Sequence, residues 1–462
     1  MFEASTYTAR RDRLAADVGS GLVLLLGNGE APMNYADNQY PFRQDGSFRY
    51  FLGLDRPDLA ALIDADARET VVYGDELTID DIVWMGPQPT IAEQAARAGV
   101  ARTAPRAALG EALCRAAGQG RTVHVLPQYR GDNLLAVERL LGVRAADVNA
   151  AASVPLVKAV VAQRSVKSLE EVAEIEQALE ITREMHLLAF HLARPGTYER
   201  EVAGAMEGLA LQRGGRLAFP IIFSVHGETL HNHRHANKME AGQLAVNDSG
   251  AECATGYAGD ITRTIPIGGR FTGPQRDLYD AVLRAQVRAI EAIKPGVPYR
   301  DVHLQAARDM VVSLEALGCM RGDPDEAVAA GAHALFLPHG LGHMMGLDIH
   351  DMESLGEDFV GYDDTARRST QFGLKSLRLA KALQPGYVLT VEPGLYFVPT
   401  LIDRWQAEGR HASFIDYAAV NRFRHAGGIR IEDNVLVTES GAQVLGTPIP
   451  KQAAEVEALA SV

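Results

Sequence analysis

Three cysteines in 462 residues, Cys114, Cys253 and Cys319, are too few and too scattered to form a structural framework. No two stand in a CxxC spacing, so neither a disulfide scaffold nor a zinc knuckle is expected, and a reducing compartment fits best. Positive charge is also short. Against 59 aspartates and glutamates there are 45 lysines and arginines, a formal net charge of −14. An acidic surface attracts neither nucleic acid nor an anionic membrane, so neither partner is expected. Long apolar runs are missing as well. The stretch MFEASTYTARRDRLAADV mixes both signs of charge, and the run Leu22–Leu26 is far too short to span a bilayer. These absences together describe a soluble, cytoplasmic chain.

What is present is ordinary globular composition, 47% hydrophobic and 23% charged, over a length suited to two or three domains. Residues 1–160 alternate short β-rich runs (Leu22–Leu26, Ala60–Ile63, Thr70–Val72, Thr122–Leu126) with helical stretches at Ala92–Ala98 and Leu134–Leu141. That alternation predicts a small α/β domain. Residues 161–462 form the second domain. From Ser168, Leu169, Val172, Ile175, Leu179 and Met185 recur at helical spacing until Pro195-Gly196 stops them. Two further helices are predicted from Pro274 to Ile293 and from Pro298 to Leu317. No fixed-period repeat or low-complexity tract is visible.

Four stretches of the second half carry polar residues where apolar ones are expected. LAVNDSGAECATGYAGDITRTIPI (244–267) reads as strand, glycine-containing connection, strand, with Asp248 and Asp260 among β-branched and apolar neighbours. A buried carboxylate costs several kcal/mol unless it is paired or bound to a metal. Antiparallel pairing would bring both aspartates to one face; two aspartates capping turns beside glycine are the alternative. FLPHGLGHMMGLDIHD (336–351) places His339, His343 and His350 among glycines and apolar residues. Any single one is readily a core histidine, whereas three together suit metal or substrate contact. In GYVLTVEPGLYF (386–397) and GGIRIEDNVLVT (427–438), Glu392 and Glu432 interrupt strand-like runs. Arg430 is the nearest candidate cation for Glu432, but it cannot serve all four carboxylates.

Charge counting then favours a pair of metals. Asp248, Asp260, Glu392 and Glu432 carry four negative charges, which two divalent ions balance, and neutral His343 completes the set. Carboxylate-rich ligation with one histidine suits Mn, Co, Zn or Fe. Two ions about 3.5–4 Å apart would activate a water and polarise a carbonyl, the chemistry of a hydrolase. No nucleophile elbow, Walker loop or dinucleotide fingerprint competes.

In this order the four stretches resemble the proline-specific branch of the pita-bread metallopeptidases, prolidase and aminopeptidase P, over most of residues 165–440. FRQDGSFRYFLGL (42–54) is similar to the N-terminal domain of the same proteins. The resemblance implies an α/β N-terminal domain followed by an α+β catalytic domain, an antiparallel sheet backed by helices. It implies two divalent ions per chain, Mn foremost with Co or Zn possible, and homodimers or homotetramers in which a neighbour closes the active site. By position, Asp248 becomes a terminal ligand, Asp260 and Glu432 bridging ones, and His343 and Glu392 complete one ion. His231 would hold the scissile carbonyl, His350 and His339 would line the substrate site, and Arg430 would steady the acidic cluster. Glu392 would also shuttle a proton. Two departures stand out. One residue more than the family's pattern lies between the two aspartates, within CATG (253–256), expected as a bulge or enlarged turn; the alternative is a slipped register that displaces Asp248. Asn232 also replaces the family's usual tyrosine.

An Xaa-Pro bond lacks an N–H on its proline side and has a fixed φ, so it calls for a dedicated enzyme. SLRLAKALQPGYVLTVEPG (376–394) is most like prolidases, and Arg378 matches their carboxylate-binding arginine, whose guanidinium fork suits that group. A solvated helix arginine beside Lys375 and Lys381 is the plain alternative. The expected activity is an Xaa-Pro dipeptidase acting on Xaa-Pro dipeptides, with aminopeptidase P acting on longer proline-containing peptides as the second choice. A metal-free binding module of the same fold is the remote third.

Overall fold

The computed structural model describes residues 1–461. It resolves into two compact units, one of Met1–Arg164 with Met352–Phe359, the other of Ser165–Asp351 with Val360 onward. No helix among the described residues is long and apolar enough to cross a membrane.

The first unit is built on a five-stranded mixed sheet in the order Arg102–Ala104, Glu69–Tyr73, Ala60–Asp64, Leu22–Leu26, Val123–Val125. Leu22–Leu26 is buried at every position because it runs between two neighbours and under helices. It pairs antiparallel with Ala60–Asp64 and parallel with Val123–Val125. Leu24, Leu62, Leu109, Leu113 and Val137 make the core between sheet and helices. The helix Gly46–Leu52 begins at Asp45, whose carboxylate accepts the Phe48 N–H.

In the second unit every strand pairing is antiparallel. The first long helix, Leu169–Leu192, opens with a reciprocal cap between Ser168 and Glu171 and ends three residues before Pro195. It packs on Glu199–Gln212. The pair Gly273–Ala292 and Tyr299–Ala316 repeats this arrangement, with a cap between Thr272 and Gln275. The two connections match in detail. Arg194-Pro195-Gly196 donates the Gly196 N–H to Met239, and Lys294-Pro295-Gly296 donates the Gly296 N–H to Leu383, both at 2.8 Å. Tyr198 then bridges Lys238, and Pro298 bridges Ala382. A fixed-period search misses this duplication because the chain between knee and partner differs in length in the two copies. The returning strands carry the unusual acidic residues.

Candidate metal centre and substrate cavity

The strands Leu244–Ser249 and Ile261–Pro266 pair in one register, with Asp248 opposite Thr262. The ladder continues without a break: Gly259 donates to Ala251 and Cys253 to Tyr257, both at 2.9 Å, and Glu252 bridges Ala258. Residues 248, 260 and 262 therefore share one face. The additional residue is absorbed in the turn Ala254-Thr255-Gly256, an enlarged turn rather than a bulge. Gly256 supplies the positive φ of 84° it needs. The Thr255 hydroxyl donates to Glu174 at 2.6 Å, which ties the turn to the long helix.

His343 enters from a loop lying across the strand Val388–Val391. Its carbonyl accepts the Thr390 N–H at 3.0 Å, and its own N–H donates to the Thr390 hydroxyl at 3.1 Å. So close an approach requires Gly342, where a Cβ would stand 2.0 Å from the Thr390 carbonyl oxygen. The ring Nδ1 donates to the Met344 carbonyl at 3.0 Å, which fixes the tautomer and presents Nε2 to the carboxylates. Nε2 lies 3.5 Å from Asp260 Oδ2 and 3.6 Å from Glu392 Oε1.

Glu432 follows the strand Gly428–Arg430 and is stitched to the first hairpin. Its N–H donates to the Thr262 carbonyl at 3.1 Å, and the Thr262 hydroxyl donates to Oε2 at 2.7 Å. Asn434 clamps Asp260 through both main-chain groups, at 3.0 and 2.6 Å. Glu392 hangs from the Leu341 carbonyl by its N–H at 2.8 Å. Asp260, His343 and Glu432, all buried, each bring one potential ligand atom within 4.8 Å of the others.

Burial, then the mutual repulsion of these acids, pushes the Asp260 and Glu432 carboxyls well above the carboxylate range. Glu392 rises to about 7 by the same burial, opposed by His343 and Arg430. Among the described residues Asp260 Oδ1 has no hydrogen-bond partner. A divalent cation among them would reverse all three shifts and satisfy that oxygen, so the donor set fits the group expected from the sequence.

Arg430 does not take the alternative role of partner to Glu432. Its guanidinium goes to Asp248 Oδ2 at 2.5 Å, to the Tyr396 hydroxyl at 2.8 Å and to the Thr262 hydroxyl at 3.2 Å. Tyr396 in turn donates to His339 Nε2 at 2.9 Å, while His339 Nδ1 donates to the Gly340 carbonyl at 2.7 Å. Burial holds that ring neutral, with a pKa lowered to about 3. His350 stacks edge-on against His343 with ring centroids 4.2 Å apart. His231 is exposed at the rim, its pKa lowered by partial burial against the opposing pull of Asp248. Arg378 lies after the short turn Leu374–Ser376 and not on a helix. All ten residues singled out from the sequence line one cavity of about 200 Å³.

Thr262, Thr390 and Tyr396 were not singled out, although two of them carried a signal. A polar residue two positions from a candidate ligand in extended chain shares its face, as Thr262 does with Asp260 and Thr390 with Glu392. Asn232 keeps a local role, donating to the Ser224 hydroxyl at 2.9 Å.

Residues 173–439 match the description "Metallopeptidase family M24", and residues 7–125 match "Aminopeptidase P, N-terminal domain". The chain is 31% identical to a human Xaa-Pro dipeptidase, over 96% of its own length and 89% of the relative's. It is 30% identical to an Xaa-Pro aminopeptidase of Escherichia coli K12, over 98% of its own length and 97% of the relative's. A zinc-substituted E. coli aminopeptidase P in complex with product is similar in structure, with a TM-score of 0.81, 29% identity, and coverage of 100% of this chain and 98% of that one.

Proposed function

The chain belongs to metallopeptidase family M24, and from that premise we propose that it hydrolyses the bond before proline in Xaa-Pro dipeptides, as a prolidase. The observation that carries the reading is the buried cluster of Asp260, His343 and Glu432, with half-buried Glu392 beside His343, in the same cavity as Arg378. One ion would be held by Asp260, His343, Glu392 and Glu432, the other by Asp248, Asp260 and Glu432, with Mn first in the proposal and Co or Zn as alternatives. When bound, such a pair supplies Lewis acidity and an acidified water.

The chain's own groups do the rest. His231, at the rim, donates to the scissile carbonyl oxygen as it gains charge. Glu392 takes the proton of the attacking water and returns it to the proline nitrogen, which must be protonated to leave because proline brings no N–H of its own. Arg378 receives the dipeptide carboxylate through its planar fork. His350 packs against the substrate, and His339 lines its site. Arg430 aligns Asp248 while holding Tyr396 against His339.

A second reading, aminopeptidase P, is favoured by one feature. A larger cavity of about 640 Å³, lined by Arg200, Glu207 and His235 among others, shares Phe219, Pro220 and His233 with the first and leaves room for a longer peptide. The test compares Ala-Pro, Gly-Pro and Xaa-Pro-Yaa tripeptides under Mn²⁺, Co²⁺ and Zn²⁺, with Arg378→Ala alongside the wild type. Dipeptide hydrolysis that collapses in Arg378→Ala while tripeptide hydrolysis survives supports prolidase. Equal losses favour aminopeptidase P, and no cleavage before proline with two ions bound refutes both.

Residence in the cytoplasm and self-association belong to the same proposal, as does a domain boundary at 160/161. Three unpaired cysteines support the first. For the second, the helix Ile79–Met85 buries none of its residues and exposes Ile79, Val83, Trp84 and Met85, Trp84 at 87%. Such a patch suits contact with a second copy in a dimer or tetramer. Light scattering should give a multiple of the 49.9 kDa chain mass that Trp84→Glu lowers.

A further inference from the structure

Lys167 and Asp351 form an ion pair at 2.9 Å with both side chains only 1% exposed. Two charges withdrawn from water cost several kcal/mol each, and an apolar pair of similar volume is commonly as stable or more so. Stability alone does not account for such a pair, but its location does. Asp351 directly follows His350, and its N–H donates to the Met344 carbonyl at 2.9 Å. That same carbonyl accepts His343 Nδ1. The second oxygen of Asp351 accepts the Asp348 N–H at 3.3 Å, closing the loop on itself. Lys167 is fixed from the other side: its N–H donates to Gly386 at 2.8 Å, just ahead of the strand Val388–Val391 that leads to Glu392. Immediately after it, Ser168 caps the longest helix.

We infer that Lys167 is a positioning residue: through Asp351 it locks the Met344–Asp351 loop and so sets the rings of His343 and His350 against the carboxylates. The inference rests on the proposed roles of those two histidines. It also explains why a charge stands where a methionine would fit. Without the pair the loop keeps its backbone hydrogen bonds but loses this charged tie to the sheet and the long helix.

The test replaces the pair by apolar groups of similar shape in the full chain, Lys167→Met/Asp351→Leu, and adds Lys167→Arg and His350→Ala. The double variant should fold with an unchanged or higher Tm. Its histidine ring ¹⁵N and ¹H signals, assigned with His343 and His350 variants and recorded without added metal, should shift or broaden at those two residues alone. With metal, kcat for an Xaa-Pro substrate should fall about 10–100-fold, the usual cost of losing a partner behind a ligand, while KM moves far less. Lys167→Arg should recover most of kcat. If the double variant keeps wild-type ring signals and wild-type kcat, the inference is wrong. If the signals move but His350→Ala turns over normally, the positioning stands and the catalytic role of His350 falls instead. Should the double variant not fold, the pair is a stability element and the inference is likewise overturned.

Discussion

At the scale of single residues, Glu432 carries the most. Its carboxylate accepts the Thr262 hydroxyl, its main chain is bonded to the same threonine, and one oxygen lies within 4.8 Å of a potential ligand atom of both Asp260 and His343. Glu432→Ala removes the proposed bridge between the two ion sites. Divalent ion content, measured by elemental analysis after reconstitution, should fall below two per chain, and turnover should drop by more than the roughly 10–100-fold that losing an outer partner costs. Normal stoichiometry with normal activity would refute the bridging role. The residue type was legible in the sequence, because a glutamate among Ile429, Ile431, Val435 and Val437 has no apolar reason to be there. Its partner was not. Arg430 stands two residues away, where alternation would put both side chains on one face, yet its guanidinium goes to Asp248. Asp433, the next residue, faces the other way and meets Arg263, Gln286 and Lys451.

At the scale of elements, register decides what the site contains. The strand-turn-strand reading of 244–267 could be read from alternation, whereas the shared face of its aspartates was one of two readings until the register was known. The fate of the additional residue could not be read, since a bulge and an enlarged turn have the same composition. Hydrogen bonds from Cys253 to Tyr257 and beyond place it in the turn. Deleting Ala254 should therefore leave ion stoichiometry at its wild-type value and change stability only modestly; a loss of one ion on elemental analysis would mean that the strands depend on the longer turn. Gly342→Ala should be worse. Its methyl group would meet the Thr390 carbonyl at 2.0 Å, so the loop must lift and carry His343 with it. A loss of about 1–3 kcal/mol in chemical denaturation is expected, together with weaker ion binding by calorimetry. Three of the four main helices of the second half were also legible, each within one residue at its start, because Ser168, the early prolines and the Pro-Gly stops punctuate them; Glu199–Gln212 was not. The duplication of helix, Pro-Gly knee and helix was not, because it is a likeness of hydrogen bonds rather than of period.

The whole molecule carries two histidines that the site does not use. His303 and His333 are buried, their rings 6.3 Å apart, and neither ring nitrogen of His303 has a hydrogen-bond partner among the described residues. Burial lowers His303 to about 3 and His333 to about 4. A histidine whose folded pKa lies below its unfolded value of about 6.5 binds its proton more readily once unfolded. Its stabilising contribution is complete above pH 6.5 and is lost as the pH falls towards those lowered values. Between pH 6 and 4 each should steepen the loss of stability by up to about 1.4 kcal/mol per pH unit, less for His333 as the pH approaches its own lowered value. Denaturation across that range should give a shallower pH dependence for His303→Leu/His333→Leu than for the wild type, and parallel curves would refute the assignment.

The two knees have a consequence for the order of events in folding. Asp248 and Asp260 belong to the chain that returns after the first helix pair, His343 and Glu392 to the chain that returns after the second, and Glu432 closes on Thr262 across 170 residues. No local segment holds all the residues of either proposed ion site, so an ion bound there would not nucleate the fold; it would grip a chain whose distant parts have already met. Contacts of such sequence separation are entropically expensive to close and tend to form late. Added Mn²⁺ should accordingly slow unfolding steeply while leaving the refolding rate nearly unchanged, a split that stopped-flow measurements in denaturant would reveal. What the second copy of the helix pair provides, on this view, is persistence: a centre assembled last and released first only when the two returning chains part.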